Sequence, residues 1–203
     1  MTVIIDYGVG NLFSLEQAFK AIGEPVKISS SVQEITNAPR LVLPGVGAFK
    51  NAAAQLRACG LWDLILARAN AGVPILGICL GMQLLFEKSH EFGESEGLAL
   101  LPGEIRPIAE RVPKTLKIPQ IGWNRLKLQG NSELFKYIKD DDFVYFVHSY
   151  YADCSPENLI ATTSYGVPLT AAVQKGSICG CQFHPEKSGA VGLAILRGFL
   201  SLS

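Results

Sequence analysis

The sequence predicts one α/β domain, a mostly parallel, doubly wound sheet with an added antiparallel layer in the second half. Three observations carry this. Short apolar runs alternate with helical patterns through the first half, as expected of parallel strands joined by crossover helices. From about residue 97 strand-like pieces follow one another with few helices between them. The chain has 203 residues, 48% of them hydrophobic, enough for a substantial core within the usual size of one domain, so residues 1–203 read as a single domain.

In chain order, "TVIID" is the first strand, and Leu12, Leu15, Ala18, Phe19 and Ile22 then recur at helical spacing. "PVKIS" and "RLVLP" follow as strands. Leu61, Leu64, Ile65 and Ala69 mark a second helix before the strand "VPILGIC". The second half offers "EIRPIAE", "RLKLQ", "FVYFVHSYYA", "LIATTS", "LTAAVQ" and "SICGCQFH" as strands, and "AVGLAILRGFLSLS" returns to helical spacing. No repeat or linker divides the chain.

Eighteen basic residues balance eighteen acidic ones, so no positive excess exists to offset phosphate, and nucleic acid is not an expected ligand. Five scattered cysteines lack the dense spacing of a disulfide scaffold and point to a reducing cytoplasm. The longest apolar run, residues 73–86, is interrupted by Pro74, Gly77, Gly81 and Gln83, so neither signal peptide nor membrane span is expected.

Chemistry enters at "GICLG". Gly77-Ile78-Cys79-Leu80-Gly81 has the spacing of a nucleophile elbow, a sharp strand-to-helix turn that lifts the central side chain clear of the backbone. A helix start also favours the thiolate, through unpaired N–H groups and the positive end of the dipole. The N–H of Leu80 is then a candidate oxyanion donor, and "LVLPGVGAF" (41–49) supplies Gly45, Val46 and Gly47 as candidates for a second. The pentapeptide alone is equally compatible with a tight turn around a buried cysteine.

A cysteine nucleophile needs a base, and the chain has His90, His148 and His184. His90, in "EKSHEFGESEG", reads as a solvated residue at an exposed helix end. His148, in "FVYFVHSYY", is the second candidate. His184 is better placed, because "QFHPEKS" brings Glu186 two residues on, the same side of an extended stretch, where a carboxylate can hold the imidazole's tautomer.

With "GICLGMQ" and "FHPEKS" together, the sequence resembles the class I glutamine amidotransferases, which have a flavodoxin-like fold and hydrolyse glutamine through a Cys-His-Glu triad. The resemblance implies Cys79 as nucleophile, His184 as acid and base, and Glu186 as its orienter. "DYGVGNLFSL", "LPGVGAF", "IGWN" and "YFVHSYY" extend it to nearly the whole chain and narrow it to glutaminase subunits that pass ammonia to a cyclase of histidine biosynthesis. It further implies an oxyanion hole at Val46, Gly47 and Leu80, and glutamine binding by Gly45, Gln83, Glu91, Ser149 and Tyr150. Asn11, Trp123, Tyr145 and Lys187 match positions facing the cyclase, a separate (β/α)8 barrel forming a heterodimer. No metal or other cofactor is implied. The isolated subunit is expected to be nearly idle, with "PGVGAF" as the switch.

Cys179 and Cys181 stand where the family has aliphatic residues; they share one strand face, and no second Cys/His pair is available to make a zinc site. Two rivals remain. One keeps the glutaminase but changes the synthase it serves. The other is a flavodoxin-like binding module, suggested by Gly8-Val9-Gly10 but lacking a glycine at Phe13.

Overall fold

The computed structural model describes residues 1–202. The first half alternates as expected: β1 (Thr2–Ile5), α1 (Leu12–Ala21), β2 (Val26–Ser29), α2 (Val32–Asn37), β3 (Leu41–Leu43), α3 (Phe49–Ala58), α4 (Trp62–Asn70), β4 (Ile75–Ile78) and α5 (Leu80–Leu84). Then come β5 (Phe86–Ser89), β6 (Ser95–Glu96), β7 (Leu101–Pro107), β8 (Gln120–Arg125), β9 (Lys127–Leu128) and β10 (Phe143–His148). The chain ends with β11 (Tyr150–Asp153), β12 (Leu159–Ser164), β13 (Pro168–Lys175), β14 (Ile178–Cys181) and α6 (Gly189–Leu200).

The main sheet has the order β2-β1-β3-β4-β14-β13-β12-β9, parallel from β2 to β14 and antiparallel beyond. The antiparallel strands thus partly extend the same sheet. The rest form a β10-β8 ribbon and a four-stranded sheet, β11-β7-β5-β6.

Why the central strands read as continuous apolar runs is visible in the two cores. Val3, Ile5, Leu41, Leu43 and Ile75 face one side, against Ile35, Phe49, Leu56 and Ile65 of α2, α3 and α4. Ile4, Val42, Leu76 and Ile78 face the other, against Leu15 and Phe19 of α1 and Ile195 and Phe199 of α6. A strand covered on both faces has no polar side to show. Each such fully buried side chain contributes roughly 1.5–3 kcal/mol, so the sheet is a stiff base for whatever stands at its strand ends. Asn11 caps α1 by accepting from the Ser14 N–H at 3.4 Å.

Two local expectations change. "FVYFVHSYYA" is one strand-like run in the sequence but two strands in the fold, because the chain leaves the β8 ribbon after His148 and joins β7 at Tyr150. His90 is no exposed helix end; it follows β5, and its Nε2 lies 2.9 Å from Glu104 Oε2 in a cluster with Lys88 and Arg106. Among the described residues no helix is long and apolar enough to cross a membrane.

Candidate active site

Cys79 sits between β4 and α5 with φ 54° and ψ −111°, a conformation a non-glycine residue holds only when its surroundings enforce it. Those surroundings are close backbone contacts. A Cβ on Gly81 would stand 1.8 Å from the Leu43 carbonyl, and one on Gly77 would stand 2.7 Å from that of Gly81. Both elbow glycines are therefore demanded by packing, and the turn is the elbow the spacing predicts. Because α5 has only five residues, its contribution near Cys79 is that of first-turn N–H groups more than of a long dipole.

The register of β14 on β4 completes the site. Cys181 pairs with Ile78, and the Cys79 N–H donates to the Cys181 carbonyl at 2.8 Å. The segment after β14 is therefore carried directly past the elbow. His184 lies there, 3% exposed, its Nδ1 2.8 Å from Glu186 Oε1 and its ring close to Cys79. With Nδ1 committed to Glu186, Nε2 is the nitrogen left for sulfur. The i, i+2 contact is made, but through a 3-10 turn, Pro185–Lys187, and not along an extended stretch.

Burial alone works against an imidazolium at His184. Its interactions with Cys79 and Glu186 and the charges of both outweigh it and push the pKa up to about 9. His148 is the reverse case. Burial holds it down at about 4, so it is neutral near pH 7. Its Nδ1–H donates to the Tyr150 carbonyl at 2.7 Å, and the Gln120 amide lies 3.1 Å from Nε2. Nε2 can then only accept, which requires the Gln120 NH2 to face it; that orientation also partners an otherwise unpaired buried nitrogen. With both ring nitrogens occupied, His148 is a poor proton shuttle.

A pocket of about 490 Å³ opens over Cys79, a volume ordinary for a small-molecule site. Of the predicted catalytic, oxyanion and glutamine-binding residues, all but Gly45 and Glu186 line it. Glu186 is behind His184. Gly45 packs beneath the elbow, where a Cβ would meet the Gly81 nitrogen and the Tyr7 hydroxyl at 2.9 Å. Gly47 adopts φ +91° with nothing near its Cβ position, so conformation and not crowding calls for glycine there. Glu91 reaches the same loop, its carboxylate accepting from the Phe49 N–H.

The family model for class-I glutamine amidotransferases matches residues 3–201. The chain belongs to this family. It is 52% identical over 199 residues to the imidazole glycerol phosphate synthase subunit HisH of Lactococcus lactis subsp. lactis (strain IL1403), covering 98% of this chain and 96% of that one. The subunit of the same description from Bacillus thuringiensis (strain Al Hakam) is 49% identical, covering 98% and 93%. Among solved structures, a glutamine amidotransferase superposes with a TM-score of 0.77 at 20% identity, covering 98% of this chain and 97% of that one. PurLQS from Thermotoga maritima superposes with 0.77 at 16%, covering 98% and 96%. At those identities the likeness concerns the fold.

In this amidotransferase the four residues expected at a partner face divide. Trp123, 54% exposed, meets Tyr145 edge-on with ring centroids 6.1 Å apart, and the Lys187 ammonium lies 5.8 Å from the Tyr145 ring centre. Asn11 is apart from this cluster in sequence and spends its side chain on the α1 cap.

Two buried polar residues beside the nucleophile escaped sequence reasoning. The Tyr7 hydroxyl donates to the Pro44 carbonyl at 2.7 Å, tying β1 to the glycine-rich loop, and burial pushes its pKa up. Gln182 is fully buried and donates to the Cys79 sulfur at 3.6 Å. A polar residue at the end of an apolar strand run, "SICGCQ", was the only available signal for it.

Proposed function

We propose that this chain is the glutaminase subunit of imidazole glycerol phosphate synthase, hydrolysing glutamine in histidine biosynthesis. The observation that carries the reading is Cys79 on a strained elbow, beside a His184 whose Nδ1 is held by Glu186, both lining one small-molecule pocket. About 50% identity to subunits of that description over nearly the full chain supports the choice of pathway.

In this reading residues 1–203 act as one amidotransferase domain. The Cys79 thiolate attacks the glutamine carboxamide carbon; a C–S bond forms and the carbonyl π pair moves to oxygen. N–H groups at Leu80 and at Val46 or Gly47 hold that oxyanion, each worth roughly 2.7–4 kcal/mol of barrier. The oxyanion collapses, the C–N bond breaks, and His184 delivers its proton to the departing nitrogen, leaving ammonia and a thioester. Neutral His184 then takes a proton from water as it attacks the thioester. Breaking the C–S bond releases glutamate and returns the thiolate and imidazolium. Gln83, Glu91 and the backbone at Ser149 and Tyr150 grip the amino-acid end of the substrate, while Gly45 supports the elbow from beneath.

Ammonia in water becomes ammonium and loses its nucleophilicity, a physical reason to pass it directly to a second active site. The acceptor is the cyclase subunit, a (β/α)8 barrel docked around Trp123, Tyr145, Lys187 and Asn11. It converts PRFAR to imidazole glycerol phosphate and AICAR. Five free thiols suit a cytoplasmic location.

The deciding experiment measures glutamate formation by this chain and by Cys79→Ala, with and without the cyclase subunit and PRFAR. Activity that requires the partner and disappears in the variant is the expected result. An idle wild-type chain with an intact cyclase would overturn the pathway assignment, and an active Cys79→Ala would overturn the nucleophile.

A further inference from the structure

The proposed mechanism does not use Gln182, although its amide is fully buried and touches the reacting sulfur. Its orientation follows from one fixed group. The Tyr150 backbone carbonyl can only accept, so the Gln83 amide 3.4 Å away presents Nε2 to it. The same nitrogen donates to Gln182 Oε1 at 3.0 Å, which leaves Gln182 Nε2 facing Cys79 Sγ at 3.6 Å. Two amides are thus aimed in series by a single carbonyl at the point where β11 begins.

We propose that Gln182 is a catalytic residue of the glutaminase, an amide donor that holds the Cys79 sulfur in place and favours its anionic form. This rests on Cys79 being the nucleophile. A neutral thiol sulfur is a weak acceptor and a thiolate a strong one, so a fixed N–H contributes more to the anion. Other titratable groups facing the sulfur cannot replace it. Tyr7 and Cys181 are kept neutral by burial, and His184, with Nδ1 on Glu186, has only Nε2 left to offer.

The donor serves both halves of the reaction. It raises the thiolate fraction for attack, while the loss of intrinsic nucleophilicity offsets only about half of that effect in logarithmic terms. In thioester hydrolysis the same N–H stabilises the departing thiolate. The Gln83 link also ties the sulfur to the substrate-gripping wall of the pocket, since the aiming carbonyl belongs to Tyr150.

The test compares wild type, Gln182→Met and Cys79→Ala. Iodoacetamide alkylation of Cys79 is followed against pH by mass spectrometry of the Cys79 peptide in the full chain, which separates it from exposed Cys59. Turnover is measured in the complex with the cyclase. In Gln182→Met the pH of half-maximal alkylation is expected to rise by about one to two units, and kcat to fall about ten- to a hundredfold, the range for one hydrogen bond to a charged group. KM is expected to rise as well, because Gln83 of the substrate-gripping wall loses its acceptor at Gln182 Oε1, so the alkylation profile, measured without glutamine, is the deciding readout. An unchanged alkylation profile would overturn the proposal, whatever happens to kcat.

Should Gln182→Met fail to fold, the wild-type chain decides: the side-chain 1H–15N resonances of Gln182 are expected to move with the midpoint of Cys79 alkylation. Resonances that stay fixed would overturn the proposal. A fully active Cys79→Ala would remove the nucleophile and this inference with it; an inactive Cys79→Ala beside an unaltered Gln182→Met would reject Gln182 alone.

Discussion

The backbone N–H of His184 donates to the carbonyl of Tyr145 at 2.9 Å, and the Tyr145 N–H in turn donates to Ser188 Oγ at 3.0 Å. Ser188 Oγ–H closes the loop by donating to the His184 carbonyl at 2.6 Å. One residue of β10 thus holds both ends of the turn that carries His184 and Glu186, while its ring meets the exposed Trp123 edge-on and lies near the Lys187 ammonium. The outer cluster and the histidine turn are thus joined through Tyr145, whose carbonyl accepts from His184 and whose N–H donates to Ser188.

Ser188→Ala removes the two bonds that pass through Ser188 Oγ and leaves the Tyr145 N–H without its acceptor. The expected cost is about 1–3 kcal/mol of stability, measured by urea denaturation. Partner-stimulated glutamate formation is expected to fall by more than basal glutamate formation does, because a single backbone bond, His184 N–H to the Tyr145 carbonyl, is then all that ties the turn to β10.

Glu186→Gln removes the carboxylate that holds His184. The His184 pKa, about 9 in the intact site, is expected to drop in an NMR titration, and glutaminase kcat to fall about 10²–10⁴-fold. The linkage has a definite sign. A histidine raised from 6.5 to about 9 contributes stability that is full below pH 6.5 and lost as pH rises through about 9. The stability difference between wild type and Glu186→Gln is therefore expected to shrink at alkaline pH.

His148 predicts the opposite acid behaviour. Its pKa is lowered from 6.5 to about 4, mainly by burial, so its neutral form stabilises the fold above pH 6.5 and that contribution is lost as pH falls through about 4. The loss amounts to roughly 3 kcal/mol for this one group. Denaturation curves between pH 7 and 4 are expected to be flatter for His148→Gln, which cannot take up the proton.

Trp123→Ala is expected to weaken cyclase binding by about 2 kcal/mol or more, as a central aromatic anchor does, with little change in the melting temperature of the isolated chain. Calorimetric titration of the variant with the cyclase subunit measures the first, and a thermal melt the second. Unaltered affinity would place the docking face elsewhere.

Much of this molecule is legible in its sequence. The parallel strands of the first half announce themselves because both of their faces are buried, which leaves uninterrupted apolar runs such as "RLVLP". The elbow was readable because steric demand writes glycine at 77 and 81, whose Cβ atoms would collide with backbone. His184 and Glu186 were readable because they are two residues apart, although the contact needed a 3-10 turn that spacing alone did not reveal.

What the amino-acid sequence determined by itself was therefore local: strand periodicity, the glycine-framed turn and the short His-Pro-Glu segment, each set by sterics and dihedral preference among near neighbours. Tertiary structure decided the rest. That Cys181 pairs with Ile78, that the chain changes sheets at Ser149, and that Gln83, Gln182 and Cys79 form one hydrogen-bonded series all depend on groups distant in the chain. Gln83 and Gln182 are 99 positions apart. A buried amide must find partners wherever packing places them, and strand register, a property of the whole sheet, is what put the sulfur and the second amide there.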